Sequence, residues 1–166
     1  MLRTARASGP SASSGAATVF AVAAASTEWT ERTLDTLRGG GYRNGVARRA
    51  VVELLGRQDC CLTAQEIFDE LRASGRRVGI ASVYRILELL TAEGVVQRID
   101  LGSGTARYEP VLPDGHHHHL VCDSCGKVEA FEDPALESAL TRVEQRSGYA
   151  VAAHDVVLHG ACADCG

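Results

Sequence analysis

Two Cys-x-x-Cys pairs, Cys122-Asp-Ser-Cys125 and Cys162-Ala-Asp-Cys165, stand 36 residues apart near the C-terminal end of the chain. No other feature restricts the possible folds as much. Two short knuckles of this kind supply four thiolates, the whole tetrahedral shell of a structural zinc, and Gly126 and Gly160 beside them allow the tight turns that knuckles need. A single pair would be weak evidence, because redox proteins place one reactive Cys-x-x-Cys between a strand and a helix. A disulfide reading would require an oxidising compartment. Closing a zinc–thiolate site contributes about 10–16 kcal/mol of apparent binding free energy at neutral pH, more than the marginal stability of a small domain. The segment from His116 to Gly166 is therefore expected to need its metal in order to fold.

The run His116-His117-His118-His119 leads straight into Leu120-Val121-Cys122. Its interior position, its length and its strand-like context argue against an expression tag. In an extended chain successive side chains point to opposite faces, so His116 and His118 would look one way and His117 and His119 the other. That alternation serves two separate metal sites better than one.

The remainder of the chain is compositionally ordinary for a soluble protein, with 45% hydrophobic and 23% charged residues in 166. The longest near-apolar stretch, Ala16 to Ala25, is about half of what a bilayer span requires. A net charge of −4 argues against a general nucleic-acid coat, but the charge is unevenly placed. Residues 101–166 carry four bases against ten acids, whereas Arg38 to Glu88 holds nine arginines against six acids, so a locally positive face is available there. Residues 1–26 are dominated by Ala, Ser and Gly without a helical or strand period and read as a disordered leader. A secretory signal is the competing reading; Ser8 to Gly15 separates its charges from its apolar run, and secretion would expose the cysteines to oxidation.

From about Thr30 the pattern becomes helical. Leu34 and Leu37 mark a short helix stopped by Gly39, Gly40 and Gly41. A second helix, about Val46 to Arg57, would bury Ala47, Val51, Leu54 and Leu55. A third opens on Thr63-Ala-Gln-Glu66, the spacing of a capping box, with Ala64, Ile67, Phe68 and Leu71 as its apolar stripe. The fourth, about Ser82 to Glu93, buries Val83, Ile86, Leu87 and Leu90 and ends at Gly94. Val95 to Asp100 and Thr105 to Glu109 follow as strands joined by Leu-Gly-Ser-Gly, a hairpin signal. Helices followed by a hairpin are the layout of a winged helix-turn-helix, in which Ser82, Tyr84 and Arg85 on the fourth helix would face the major groove. A small helical domain with surface arginines is the bland alternative.

The helix Ala81-Ser-Val-Tyr-Arg-Ile-Leu87, the run His116 to Gly126 and the ending Gly160-Ala-Cys-Ala-Asp-Cys165 together resemble the ferric uptake regulator (Fur) family of metal-responsive repressors, from about residue 30 to the end. In appearance they are most similar to its zinc-uptake-regulator branch. The resemblance implies an α+β chain divided into a winged-helix DNA-binding domain over residues 27–110 and a small α/β metal-binding dimerisation domain over residues 111–166. It implies a cytoplasmic homodimer that binds a palindromic double-stranded operator when a regulatory metal is bound, with no membrane and no small-molecule substrate. On this chain it puts structural zinc on Cys122, Cys125, Cys162 and Cys165. A second site falls on His116, His118, Glu137 and His154, with Glu137 in a helix Pro134 to Ser147 and His154 in a strand Tyr149 to His159. Arg48, by resemblance, and Arg43 would meet phosphate, while Tyr84 and Arg85 reach base edges.

A third, hinge site departs from its relatives. His117, His119 and Glu109 match part of it, but the histidine that iron and peroxide regulators carry just ahead of the Thr-Ala or Ser-Ala helix start is replaced here by Cys61. The aspartate and cysteine of actinobacterial zinc regulators fall on Gln97 and Val111. A thiolate with two imidazoles and a carboxylate suits zinc, whereas nitrogen and oxygen alone suit Fe(II), Mn(II) or Ni(II), so zinc is favoured over iron as the second divalent metal. Cys60 and Cys61 could instead be buried small hydrophobes. A zinc-storage or delivery protein is the rival of another class, and a thiol oxidoreductase a further one. No catalytic grouping stands out, so an enzyme is not expected.

Overall fold

The alanine-rich N-terminal stretch runs on into the first helix. The computed structural model describes residues 15–43, 45–102, 104–112 and 117–166, with side chains from Thr27 onward. Helix α1 spans Gly15–Gly39, so residues 15–26 are helical rather than part of an unstructured leader. Alanine has the highest intrinsic helix propensity, and a segment rich in it extends a helix already anchored downstream without any apolar period of its own. The anchor is the buried set Trp29, Thr33, Leu34 and Leu37. Gly41, at φ 82°, then turns the chain, with the Tyr42 amide donating back to the Leu37 carbonyl at 2.9 Å.

Helices α2 (Val46–Leu55), α3 (Ala64–Ala73) and α4 (Ile80–Ala92) follow. Strands β2 (Val96–Asp100) and β3 (Ala106–Pro110) form an antiparallel hairpin. A two-residue strand β1 (Leu62–Thr63), too short for any sequence period to reveal, adds to the other edge of β3 and gives the order β1-β3-β2. The core is built at helical spacing: Val51, Leu54 and Leu55 from α2, Ala64, Ile67 and Leu71 from α3, and Val83, Ile86, Leu87 and Leu90 from α4. Phe68 packs against it half-buried.

Thr63 and Glu66 close the capping box at the start of α3. The Thr63 hydroxyl accepts from the Glu66 amide at 3.1 Å, and the Glu66 carboxylate accepts from the Thr63 amide at 2.7 Å. Arg107 of β3 donates to Glu66 and to the Cys61 carbonyl, each at 3.2 Å, tying the helix start to the hairpin. Thr63→Ala is expected to cost about 1 kcal/mol, measured as a shift of the urea midpoint without a change in slope.

The C-terminal sheet has the order β5-β4-β6. Strand β4 (His118–Cys122) is central, β5 (Val128–Phe131) pairs with it antiparallel, and β6 (Val157–Gly160) pairs with it in parallel after helix α5 (Pro134–Ser147). The strand expected over Tyr149 to His159 is thus confined to its last part. The ladder with β4 runs from His119↔Val157 to Cys122↔Gly160, and residues 149–156 stay irregular. His154 lies in the irregular stretch ahead of β6, not in a strand. Helix α5, capped by the Asp133 carboxylate, buries none of its residues. Beyond residue 117, Cys122 is the one buried apolar residue.

Candidate metal centres and DNA-facing surface

The register of the second sheet assembles the four cysteines. Cys122 at the end of β4 lies opposite Gly160 of β6, and the Asp123 amide donates to the Gly160 carbonyl at 2.8 Å. The chain beyond each strand end turns back as a knuckle, so that Cys122, Cys125, Cys162 and Cys165 bring their sulfurs within 4.8 Å of one another. The Cys125 and Cys162 sulfurs are 3.8 Å apart. A tetrahedron with zinc–sulfur bonds of about 2.3 Å has an edge of about 3.8 Å, so the donor set fits zinc. Backbone amides of Cys162 and Cys125 lower the Cys122 thiol to about 6, and hydrogen bonds with the Cys162, Cys125 and Cys122 sulfurs push Cys165 up to about 12. Sulfurs crowded together compete for protons in this way.

On one face of β4, His118 is 1% exposed and its Nε2 lies 2.7 Å from the Glu137 carboxylate on α5. His154 Nε2 approaches the other oxygen of Glu137 at 3.2 Å, and the His118 and His154 rings are 5.4 Å apart. The structure therefore brings His118, Glu137 and His154 together, two imidazoles and a carboxylate that can hold a divalent cation. His116, assigned to the same group from the sequence, lies outside the described residues.

On the opposite side, His117 and His119 converge on Glu109, which the wing strand β3 carries 1% exposed. Nε2 of His117 is 2.9 Å from Glu109 Oε2, and Nε2 of His119 is 3.1 Å from the same oxygen. Gln97, directly across the hairpin from Glu109, donates its amide to the other oxygen. Burial opposes charge on Glu109, but hydrogen bonds from His117, His119 and Gln97 outweigh it and hold the carboxyl at about 2. The bond to Glu109 raises His117, against the effect of burial. Burial works against an imidazolium at His119 too, yet hydrogen bonds to Cys60 and Glu109 lift it to about 9.

Cys61 does not join Glu109, His117 and His119 in one compact group. The structure forms two groups that meet at His119: Glu109, His117 and His119, and separately Cys60, Cys61 and His119. Both thiols lie within reach of His119, and Cys60 is the one whose proximity lifts the imidazole. A hydrogen bond from Cys61, set against burial and helped by His119, lowers Cys60 to about 5, while the bond to Cys60 and burial drive Cys61 up. Sequence reasoning took Cys61 alone as a ligand, because the family pattern marks that position only; the irregular backbone ahead of β1 brings both sulfurs to one side, 3.7 Å apart.

Helix α4 buries its apolar stripe and leaves Ser82, Tyr84 and Arg85 exposed on the other side. Arg43 is exposed as well. Arg48 is half-buried, with its guanidinium 5.6 Å from the Tyr42 ring centroid and donating to the Arg43 carbonyl, so it fixes the loop ahead of α2. The sequence had not singled out Arg72, Arg76 and Arg77. They surround the α3–α4 loop with Phe68, Gly75 and Gly79, and Arg76 pairs with Glu53 at 3.3 Å. Their clustering at a turn before the fourth helix was a legible signal.

Three core helices followed by a β-hairpin, joined to a sheet surrounded by thiolate, imidazole and carboxylate clusters, define a winged-helix protein equipped to bind metal. The ferric uptake regulator family matches residues 39–159. The chain is 33% identical over 137 residues to the ferric uptake regulation protein of Campylobacter jejuni, covering 81% of this chain and 87% of the relative. It is 33% identical over 139 residues to that of Bacillus subtilis, covering 81% and 93%. The Helicobacter pylori ferric uptake regulator, a structure with three functional metal binding sites, superposes with a TM-score of 0.72 at 29% identity over 84% of this chain and 93% of that one. The chain belongs to the ferric uptake regulator family and is a metal-responsive transcriptional regulator, not an enzyme. Among the described residues no helix is long and apolar enough to cross a membrane.

Proposed function

We propose that this chain is a zinc-responsive repressor that binds, as a homodimer in the cytoplasm, a palindromic double-stranded operator controlling metal-uptake genes. The observation that carries this reading is the Glu109 cluster: a buried carboxylate on the wing hairpin is met by two imidazoles at the start of β4. One polar group thus spans the winged-helix part and the C-terminal sheet. A divalent cation supplies, when bound, a charge that attracts ligands from both parts at once. Glu109, His117 and His119, with Cys61 as the ligand proposed from the winged-helix side, then tie the orientation of α4 to metal occupancy. Cys122, Cys125, Cys162 and Cys165 would hold the structural zinc, and His118, Glu137 and His154, with His116, the second site.

The dimer reading is supported by the C-terminal part itself. Leu120, Val143, Tyr149, Val151 and Leu158 are exposed there, and no residue of α5 is fully buried, a surface that a second copy would cover. Two copies of α4 would then enter successive major grooves, with Arg43 and Arg48 at phosphates and Ser82, Tyr84 and Arg85 at the bases. Arg85→Ala is expected to cost about 1–3 kcal/mol in operator affinity, read by fluorescence anisotropy; an unchanged affinity removes Arg85 from the interface.

A second reading, iron or manganese in place of zinc, is favoured by the fact that Glu109, His117 and His119 alone offer only nitrogen and oxygen. Operator binding measured against Zn(II), Fe(II), Mn(II) and Ni(II) at buffered free concentrations separates the two. The zinc reading requires zinc to act at the lowest free concentration relative to its cellular availability, and a response to Fe(II) but not zinc overturns it. A protein that binds these ions and no operator would be a store or carrier instead.

A further inference from the structure

Cys60 and Cys61 are consecutive residues, and their sulfurs are 3.7 Å apart. That distance equals, within a tenth of an ångström, the edge of about 3.8 Å expected for two thiolates on one tetrahedral zinc, and it matches the 3.8 Å between Cys125 and Cys162 in the four-cysteine knuckles. The ligand atoms of Cys60, Cys61 and His119 all lie within 4.8 Å of one another. Cys61 is 2% exposed and Cys60 is half-buried. A cavity of about 350 Å³ reaches Cys60 past Asp59, Glu109, His117 and Glu132, so a hydrated cation has an acid-lined way in. Arg107 holds the Cys61 carbonyl at 3.2 Å, which fixes the backbone that presents the pair.

We propose that Cys60, Cys61 and His119 form a sulfur-rich site for a thiophilic divalent cation, zinc or cadmium, in which Cys60 is a ligand in its own right. The thiol protons still bound, and the proton of an imidazolium at His119, leave for solvent as the metal bonds form, and no oxidant is involved. His119 belongs also to the Glu109 group, so an ion captured by the two sulfurs takes up a ligand of the hinge. Sulfur donors discriminate against Fe(II) and Mn(II), which prefer nitrogen and oxygen. The site itself stands on the geometry; only its consequence, that the hinge is selective for thiophilic ions, rests on the regulator reading above.

The test is Co(II) titration of the full-length protein, reduced and anaerobic, with the four-cysteine site already filled with zinc. One equivalent of Co(II) is expected to give a near-ultraviolet thiolate-to-cobalt band, which Cys60→Ser reduces by about half and Cys60→Ser/Cys61→Ser abolishes. Circular dichroism checks that the variants are folded, and the half-exposed position of Cys60 makes the single variant the safe one. Cd(II) affinity, by competition with a chelator, is expected to fall at least about 100-fold in the double variant. A bound Co(II) without a thiolate band, or a band that both variants retain, overturns the proposal. If the band is missing while metal still promotes operator binding, the sulfur site fails and the regulator stands. If the band is present and no metal promotes operator binding, the regulator reading fails and the site stands.

Discussion

Replacing Cys122 and Cys125 by serine is expected to unfold the C-terminal part of the chain and abolish the dimer, while the winged-helix part keeps its helical signal. The reason lies in how little apolar burial that part has. Among the described residues, every buried apolar side chain except Cys122 comes from residues 29–108, and α5 contributes none. A three-stranded sheet of strands four or five residues long, with one helix that fully buries none of its residues, cannot offset its own conformational entropy. A structural zinc adds about 10–16 kcal/mol of folding free energy, which is what such a segment lacks. Zinc content, far-ultraviolet circular dichroism and size-exclusion chromatography of the variant report on metal, fold and dimer separately. Retention of the fold and the dimer in a protein that has lost its zinc would show that apolar contacts between copies suffice, and would sink this account.

The same imbalance explains what the sequence could and could not disclose. In α4, Val83, Ile86, Leu87 and Leu90 recur at helical spacing and all become buried, because a core helix is positioned by its apolar stripe. The Thr63–Glu66 capping box is likewise a local device, complete within four residues. The helix over residues 15–26 was missed because alanine propensity leaves no periodic trace. Strand β6 came out shorter than its pattern because only Val157–Gly160 find partners on β4, a neighbour distant in sequence. At the sites, strand alternation was enough to separate His118 from His117 and His119. It could not place Cys60, whose approach to His119 depends on β1 pairing with β3 at Leu62↔Tyr108 and Thr63↔Arg107. Residue types were legible; which thiol faces which imidazole is a product of long-range packing.

Glu109→Gln is expected to raise the free metal concentration needed for half-maximal operator binding by at least about 100-fold and to flatten its dependence on pH. Loss of a residue that merely orients a ligand costs about 10–100-fold in metal affinity, and Glu109 is proposed as a ligand. Glutamine keeps the shape of the side chain and removes the charge around which Gln97, His117 and His119 are organised. In the metal-free protein that charge holds protons in place, with His117 raised and His119 at about 9 beside a carboxylate at about 2. The sign follows directly. An imidazole raised in the folded protein stabilises the metal-free fold below the ordinary histidine range, and this contribution is lost as pH climbs through about 9. Metal binding runs the other way, since imidazoles must be neutral to coordinate, so wild-type affinity rises with pH from mildly acidic conditions up to about 9. In Glu109→Gln, His117 loses the main partner that raises it and His119 one of its two, fewer protons are displaced, and the slope falls. Zinc in the four-cysteine site should stay at one equivalent throughout, which separates loss of sensing from loss of fold. A variant that keeps the wild-type metal threshold and pH slope would remove Glu109 from the sensing site and leave its burial on the wing without a function.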